Sequence, residues 1–300
     1  MRRLAQNPTI TLIMLLAARD ARAQQLDPAA RWATIAAYEY KEFSNMVYKK
    51  ANNVDLKLDV VMTGPKDQAR PTLLYIHGGG WAAFTTDDFR LWALPMLTAG
   101  MNLVNVDYRL ASVFRAPGAV EDCRCALHWV YQHAKDYGFD TTKIVVEGHS
   151  AGVHLALMTG MLTPQAGFDN DCPGKEDLKA AAIVNYFGIT DVADVLEGPN
   201  RQDYAVAWFG SLPDRLDLAK RLSPLTYVRP GLPPIITLQG DKDNLVPYQH
   251  GARLHEALDR AGVPNRLVTV PGGGHGSWSR EEKLRGQQAI SQFLHEHGIL

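Results

Sequence analysis

Five consecutive residues, Gly148-His149-Ser150-Ala151-Gly152, constrain this chain more than any other stretch. They follow the apolar run Lys143-Ile144-Val145-Val146-Glu147 and precede Val153-His154-Leu155-Ala156-Leu157-Met158. The pattern predicts a strand, a sharp turn and a helix, with a serine at the turn. Glycines on both sides let such a turn pack closely, so the serine hydroxyl stands clear of the sheet edge. A helix that starts just after the serine aims free N–H groups and its positive end at the spot where negative charge develops in acyl transfer. Alone, GxSxG is equally a glycine-rich turn between strand and helix. It becomes chemistry only if the chain supplies a base, an acid and an oxyanion site in matching places.

The rest of the chain is expected to place those parts on an α/β framework. Asp27 to Tyr40 reads as a helix or arm. Phe43–Lys50 and Val54–Thr63 alternate apolar and polar residues around the turn pair Asn52-Asn53, which predicts an antiparallel hairpin. Thr72–Ile76 is a short continuous apolar run of the kind buried on both faces of a sheet, and Asn102–Asp107 reads as another buried strand. Further strands are predicted at Ala180–Tyr186, Pro234–Gln239 and Arg266–Val270. Helices are predicted at Asp87–Ala99, Val120–Tyr137, His250–Ala261 and Glu281–His295. That makes eight strands, alternating with helices after the hairpin: an eight-stranded, mostly parallel sheet flanked by helices. Thr190 to Val228 interrupts the alternation with aromatics and Pro199, Pro213 and Pro224, and is expected to form a small lid insert.

Composition narrows the partners. The 300 residues are 46% apolar and carry a net charge of −1, so a sizeable core is expected and no basic excess points to nucleic acid. Arg2 and Arg3, the apolar stretch Thr9–Ala18 and Ala21-Arg22-Ala23 read as a signal peptide over 1–23. One domain is expected over 24–300, in an exported protein, periplasmic or secreted. No other run is long enough to span a bilayer. Of three cysteines, Cys123 falls on the apolar stripe of its helix; Cys125 points away from it, which makes Cys125–Cys172 the pair expected if export permits a disulfide. No Cys/His spacing suggests a metal, and no cofactor is expected.

In parallel sheets ligands bind at the carboxyl ends of the strands, and the informative residues lie there. Asp243 follows the strand ending at Gln239, within Gly240-Asp241-Lys242-Asp243-Asn244-Leu245-Val246-Pro247. His275 follows the last strand, within Gly272-Gly273-Gly274-His275-Gly276. Ser150, Asp243 and His275 thus come in the order Ser, Asp, His. A serine hydroxyl is a poor nucleophile at neutral pH; it needs a base within hydrogen-bond reach, and the base needs an acid to fix its tautomer. Asp241 is the competing acid and is read as a solvated loop residue. His250 and His255 are read as surface residues, His154 as a buried hydrogen-bonded one, and His149 as packing beside the serine. Trp81, Phe84, Tyr186, Trp208 and Trp278 are candidates for a substrate pocket, or for the core.

With these residues in view, the chain resembles an α/β-hydrolase, and within that fold the bacterial esterases related to hormone-sensitive lipase, of the feruloyl-esterase/acetyl-esterase type. Tyr48–Val61, His77-Gly78-Gly79-Gly80-Trp81, Asp107–Leu110, Gly148–Leu155, Gly240–Pro247 and Gly272–Gly276 carry the likeness. It implies an ester as substrate and an oxyanion hole built from the amides of Gly79, Gly80 and Ala151; the short, proline-interrupted insert and Trp81 point to short acyl groups on soluble, small-molecule esters. Trp81 is expected to narrow the acyl side. Two departures matter. His149 stands where relatives near hormone-sensitive lipase have Asp, which also admits a kynurenine-formamidase type of amide hydrolase. Val153 stands where a second glycine is common. A binding protein on a hydrolase fold is the alternative outside enzymes.

Overall fold

The computed structural model describes residues 26–172, 174 and 176–300, so the signal-peptide reading over 1–23 lies outside the described residues. The chain divides after Tyr40 into two units. In the first, helix α1 (Pro28–Glu39) starts where the Asp27 side chain accepts the Ala29 and Ala30 N–H groups, with Pro28 in the first turn where its missing N–H costs nothing.

The second unit holds one eight-stranded sheet in the order β1-β2-β4-β3-β5-β6-β7-β8. The strands are β1 (Lys41–Ala51), β2 (Val54–Met62), β3 (Arg70–Ile76), β4 (Asn102–Val106), β5 (Phe139–His149), β6 (Ala182–Tyr186), β7 (Ile235–Gly240) and β8 (Asn265–Val270). β1 and β2 form the hairpin; Asn52 and Asn53 turn it with φ of 52° and 60°, the left-handed pair a two-residue hairpin loop requires. β2 also runs antiparallel to β4, and every later pairing is parallel. Strand order reverses between β3 and β5, because β4 lies on one side of β3 and β5 on the other. The chain leaving β3 and the chain leaving β5 therefore open a crevice at their carboxyl ends. The glycine loop follows β3 and Ser150 follows β5.

Two predicted helices are broken. Asp87–Ala99 is three pieces, α2 (Thr86–Phe89), a 3-10 turn (Arg90–Ala93) and α3 (Leu94–Thr98), because Pro95 has no N–H to continue a helix and is accommodated in the first turn of α3. Val120–Tyr137 is α4 (Gly118–Gln132) and a short α5 (Ala134–Tyr137), which Gly138 ends with a left-handed φ of 66°. α4 is buried almost all round, so Cys125 is as fully buried as Cys123 instead of facing outward. Cys125 is bonded to Cys172, and Cys123 is free. Arg109, after β4, grips Asp122 on α4 with two bonds, Nε to Oδ2 at 2.8 Å and Nη2 to Oδ1 at 2.7 Å. That paired fork fixes the strand-end loop to the helix.

The insert folds as α7 (Val192–Glu197), α8 (Asp203–Phe209), α9 (Arg215–Arg221) and a 3-10 turn (Pro224–Tyr227). It is not a flap resting on the molecule. Val192, Val195, Leu196, Trp208 and Phe209 are completely buried in the same apolar cluster as the strands. The remaining helices are α6 (Ala151–Met161), α10 (Gln249–Arg260) and α11 (Arg280–Glu296). Among the described residues no helix is long and apolar enough to cross a membrane.

Candidate active site

Ser150 is held in its sharp turn by two glycines. A Cβ on Gly148 would come within 2.6 Å of the Ile76 carbonyl oxygen, and one on Gly152 within 2.2 Å of the same oxygen and 2.3 Å of that of His77. No side chain survives such contacts. β5 and α6 therefore pack directly against the end of β3 only with glycine at both places. Between them Ser150 adopts φ 55°, ψ −122°, a strained conformation for a residue with a Cβ. Its own N–H donates to the Tyr186 carbonyl at 2.9 Å, which ties the turn to β6.

The loops that carry Asp243 and His275 meet beside it. Asp243 Oδ2 lies 2.8 Å from His275 Nδ1. The other carboxylate oxygen accepts the N–H groups of Leu245 and Val246, each at 2.9 Å, and Gln239 Nε2 donates to Oδ2 at 3.1 Å. The Asp243 side chain is thereby locked and wholly buried, while His275 stays partly exposed. With a carboxylate on Nδ1, the imidazole carries its proton there and presents Nε2 as a base. Asp241 is exposed and instead accepts the Gly272 N–H at 2.7 Å, which staples the acid loop to the histidine loop.

The glycine loop is aimed from behind. The Tyr108 hydroxyl donates to the carbonyls of His77 and Gly78, at 3.0 and 3.1 Å, and the Gly79 carbonyl accepts the Ala82 and Ala83 N–H groups. In a trans peptide the N–H points opposite the C=O, so the Gly79 and Gly80 amides are turned away from these partners. Gly79 and Gly80 hold φ of 103° and 59°. A Cβ on Gly79 would come within 2.3 Å of the Ala83 oxygen. His77 stacks on Tyr108 with ring centres 4.3 Å apart, and burial lowers its pKa to about 4. The Ala151 amide, first in α6, has no acceptor within its own helix.

Ser150, His275, Gly79 and Gly80 line one cavity of about 360 Å³, which Phe84, Trp92, Phe187, Tyr204 and Leu245 complete. Of the aromatic candidates, Phe84 is in this wall, and Tyr186 and Trp278 line the adjoining chamber. Trp81 and Trp208 are corrections: both are 0% exposed and belong to the core. Trp81 stacks on Trp208 at 4.1 Å and donates to His154 Nδ1 at 3.2 Å, so it cannot narrow an acyl site. His250 and His255 are also corrections, since both are buried. His250 sits under the insert, where its Nδ1 accepts the Thr190 N–H and its Nε2 lies 3.2 Å from Asp194. His255 pairs with Asn265. His154 is a buried structural histidine, as expected. Its Nε2 donates to the Leu222 carbonyl at 2.7 Å, and burial lowers its pKa to about 4. Trp92, Phe187, Tyr204 and Leu245 escape sequence reading. Only Phe187 carries a usable signal, its place directly after a strand's carboxyl end.

Beneath the serine, β3 and β5 place Tyr75, Glu147 and His149 on one face. The Tyr75 hydroxyl lies 2.7 Å from His149 Nδ1, and the His149 ring stacks on Tyr186 at 4.3 Å. Burial, and then the neighbouring His275, lower the His149 pKa to about 3, so it is neutral at working pH. Burial raises Glu147 to about 8. The unfolded chain ionises Glu147 near its ordinary value and the native state only near 8, so this residue takes stability away as pH rises between the two. Glu147→Gln is expected to raise the melting temperature by roughly 5 °C at pH 8 and to change it little at pH 4. Equal shifts at both pH values, read by calorimetry, would refute this.

Comparison with known proteins agrees with the fold. The BD-FAE family model matches residues 58–258. The esterase LipQ of Mycobacterium tuberculosis is 26% identical over 75% of this chain and 55% of its own length. An ethyl acetate hydrolase of Pseudomonas putida is 28% identical over 97% of this chain and 99% of its own. A propionate-bound esterase, Est2 of Thermogutta terrifontis, superposes with a TM-score of 0.72 at 31% identity, covering 89% of this chain and 96% of that one. The chain spans about half the length of several curated relatives, LipQ among them. It has the α/β-hydrolase fold and belongs to the BD-FAE family.

Proposed function

We propose that this member of the BD-FAE family is a serine carboxylic ester hydrolase that works through an acyl-enzyme on small, soluble, short-acyl esters. The observation that carries the reading is the buried Asp243 carboxylate on His275 Nδ1, at the edge of a cavity that also holds Ser150 at its strained turn. Ser150 Oγ attacks the ester carbonyl while His275 takes its proton. The amides of Gly79, Gly80 and Ala151 receive the oxyanion. His275 returns the proton to the leaving alcohol, and water, activated by the same imidazole, releases the acid. Asp243 keeps the imidazole oriented and stabilises its charged form. None of these steps needs a cofactor. The names of the relatives favour esters over the amide reading.

Short acyl groups follow from the walls. Phe84, Tyr204 and Leu245 line the cavity and limit its room, and the Tyr204 hydroxyl fixes its own wall by donating to the Leu245 carbonyl at 3.1 Å. Catalytic efficiency is expected to fall at least tenfold between butyryl and decanoyl esters of one alcohol, because an obstructed acyl chain loses the orientation that speeds attack. Tyr204→Ala is expected to reduce that fall. A wild-type preference for dodecanoyl esters would sink the short-acyl reading. Covalent labelling by a fluorophosphonate, together with turnover of p-nitrophenyl acetate, tests the enzyme itself. Neither result would be expected of a binding protein. We also place the protein outside the cytoplasm, a reading supported by the Cys125–Cys172 bond; fractionation of the source cells tests it.

A further inference from the structure

Beside the reactive cavity lies a second chamber of about 390 Å³, and Trp92, Phe187 and Gly276 form the wall common to both. Tyr186 and Trp278 give it aromatic sides. Its rim leaves apolar surface in water: Leu91 is 75% and Leu284 57% exposed. Arg280, Lys283, Leu284 and Gln287 also line it, at the i, i+3, i+4, i+7 spacing of a single face of α11.

The two cations on that face have no structural employment. Arg280 and Lys283 are exposed and form no salt bridge among the described residues, while Glu282 between them is engaged by Arg285 at 2.7 Å. Both sit in the first turn or so of a seventeen-residue helix, the end at which the backbone dipole disfavours positive charge. An aromatic chamber adjoining the cavity of the reactive serine, and edged by two cations without a salt bridge among the described residues, has the chemistry of a site for an aromatic anion.

We propose that this chamber receives the alcohol part of the ester, and that this part is an aromatic ring bearing a carboxylate which meets Arg280 and Lys283. The substrate class is then a short-acyl ester of an aromatic hydroxy acid. The assignment to the alcohol side comes from His275, which must deliver a proton to the leaving oxygen. Two of the three common-wall residues flank it: Gly276 is its neighbour in the chain, and the Phe187 ring centre is 4.5 Å from the imidazole. In the acylation step Ser150 Oγ bonds to the carbonyl carbon and its proton passes to His275. The bond from that carbon to the phenolic oxygen breaks, and the oxygen takes the proton back as the hydroxy acid leaves. Water then hydrolyses the acyl-enzyme. This deepens the ester-hydrolase reading and rests on it.

The test compares 4-acetoxybenzoate and 6-acetoxy-2-naphthoate, which differ in reach, with their neutral carboxamides, in the wild type and in Arg280→Gln/Lys283→Gln. The ratio of kcat/KM for acid over amide cancels intrinsic reactivity when compared between the two enzymes. That ratio is expected to drop five- to tenfold in the double variant for at least one ring, with the amide rates within twofold of wild type, and to shrink in the wild type as salt is raised from 0.05 to 0.5 M. An unchanged ratio for both rings would overturn the proposal. So would a gain confined to monoethyl terephthalate, whose carboxylate lies on the acyl side. A second measurement needs no turnover. Quenching of tryptophan fluorescence in Ser150→Ala, with Trp92 and Trp278 in the chamber walls, gives the affinity for 6-hydroxy-2-naphthoate and its carboxamide; tighter binding of the acid, lost in the added double variant, supports the site. Turnover of every neutral ester with no charge preference fails the chamber alone. Absence of all ester turnover, with the binding preference intact, fails the ester-hydrolase reading and leaves the anion-binding chamber supported.

Discussion

Ser150→Ala is expected to abolish fluorophosphonate labelling and to lower kcat/KM on p-nitrophenyl acetate by about five to six orders of magnitude. The size follows from what is lost. On the proposed mechanism no acyl-enzyme forms without the hydroxyl, and only the Gly79, Gly80 and Ala151 amides and substrate binding remain to assist direct attack by water. His275→Ala should cost nearly as much, since the serine then has no base. Asp243→Asn should cost about four orders of magnitude: an amide can donate to Nδ1 and so favour the wrong tautomer, and it places no negative charge beside the imidazolium. The sharper comparison is with Asp241. It stands two residues away on the same loop, but its carboxylate is spent on the Gly272 N–H and does not touch the imidazole. Asp241→Asn should therefore stay within about tenfold of wild type, since a carboxamide oxygen can still accept that N–H. Steady-state kinetics on the four variants decide the matter. If Asp241→Asn is the crippling change and Asp243→Asn the mild one, the acid is misassigned.

The parts of this molecule that were legible in sequence are those whose causes are local. A turn that needs glycine on both sides of a serine writes that need into five residues, and the clashes a Cβ would meet at Gly148 and Gly152 show why it does. Asn52-Asn53 fixes its hairpin in the same way, by backbone conformation alone. The order of Ser150, Asp243 and His275 could be read because strand ends can be read, and a parallel sheet gathers strand ends at one edge. What is not legible depends on distant partners. His250 reads as a surface residue because its own helix is strongly polar, and nothing near it in sequence announces that the insert covers it and Asp194 meets its ring. Trp92 falls inside a predicted helix that Pro95 breaks; it stands in the 3-10 turn between the two pieces and lines the cavity. Trp81 differs for a related reason. Its place directly after the glycine loop reads as nearness to the substrate, whereas Trp81 has a positive φ of 60° and a ring wholly buried in the core.

Trp81→Ala, accordingly, is expected to act on the fold before it acts on specificity. Removing a fully buried tryptophan leaves a cavity worth about 3–5 kcal/mol. Here it also removes the stack on Trp208 and takes from His154 Nδ1 the donor it has in the native state. His154 cannot recover by protonating, since burial already holds its pKa near 4, nor by turning its ring without giving up the Leu222 carbonyl on Nε2. An unsatisfied buried acceptor adds about 1–3 kcal/mol. A melting temperature lower by roughly 10 °C or more is the expected result. Activity should fall as well, because Trp81 directly follows Gly80, and its indole, stacked on Trp208 and bonded to His154, holds the C-terminal side of the glycine loop in the core. The acyl-length profile, normalised to the acetyl ester, should keep its shape, since the indole is 0% exposed and is no part of the cavity wall. Trp81→Phe separates the contributions: it keeps much of the stack and loses the N–H, so it should recover more than half of the lost stability. A Trp81→Ala protein that melts like the wild type and newly accepts long acyl chains would return this residue to the substrate pocket.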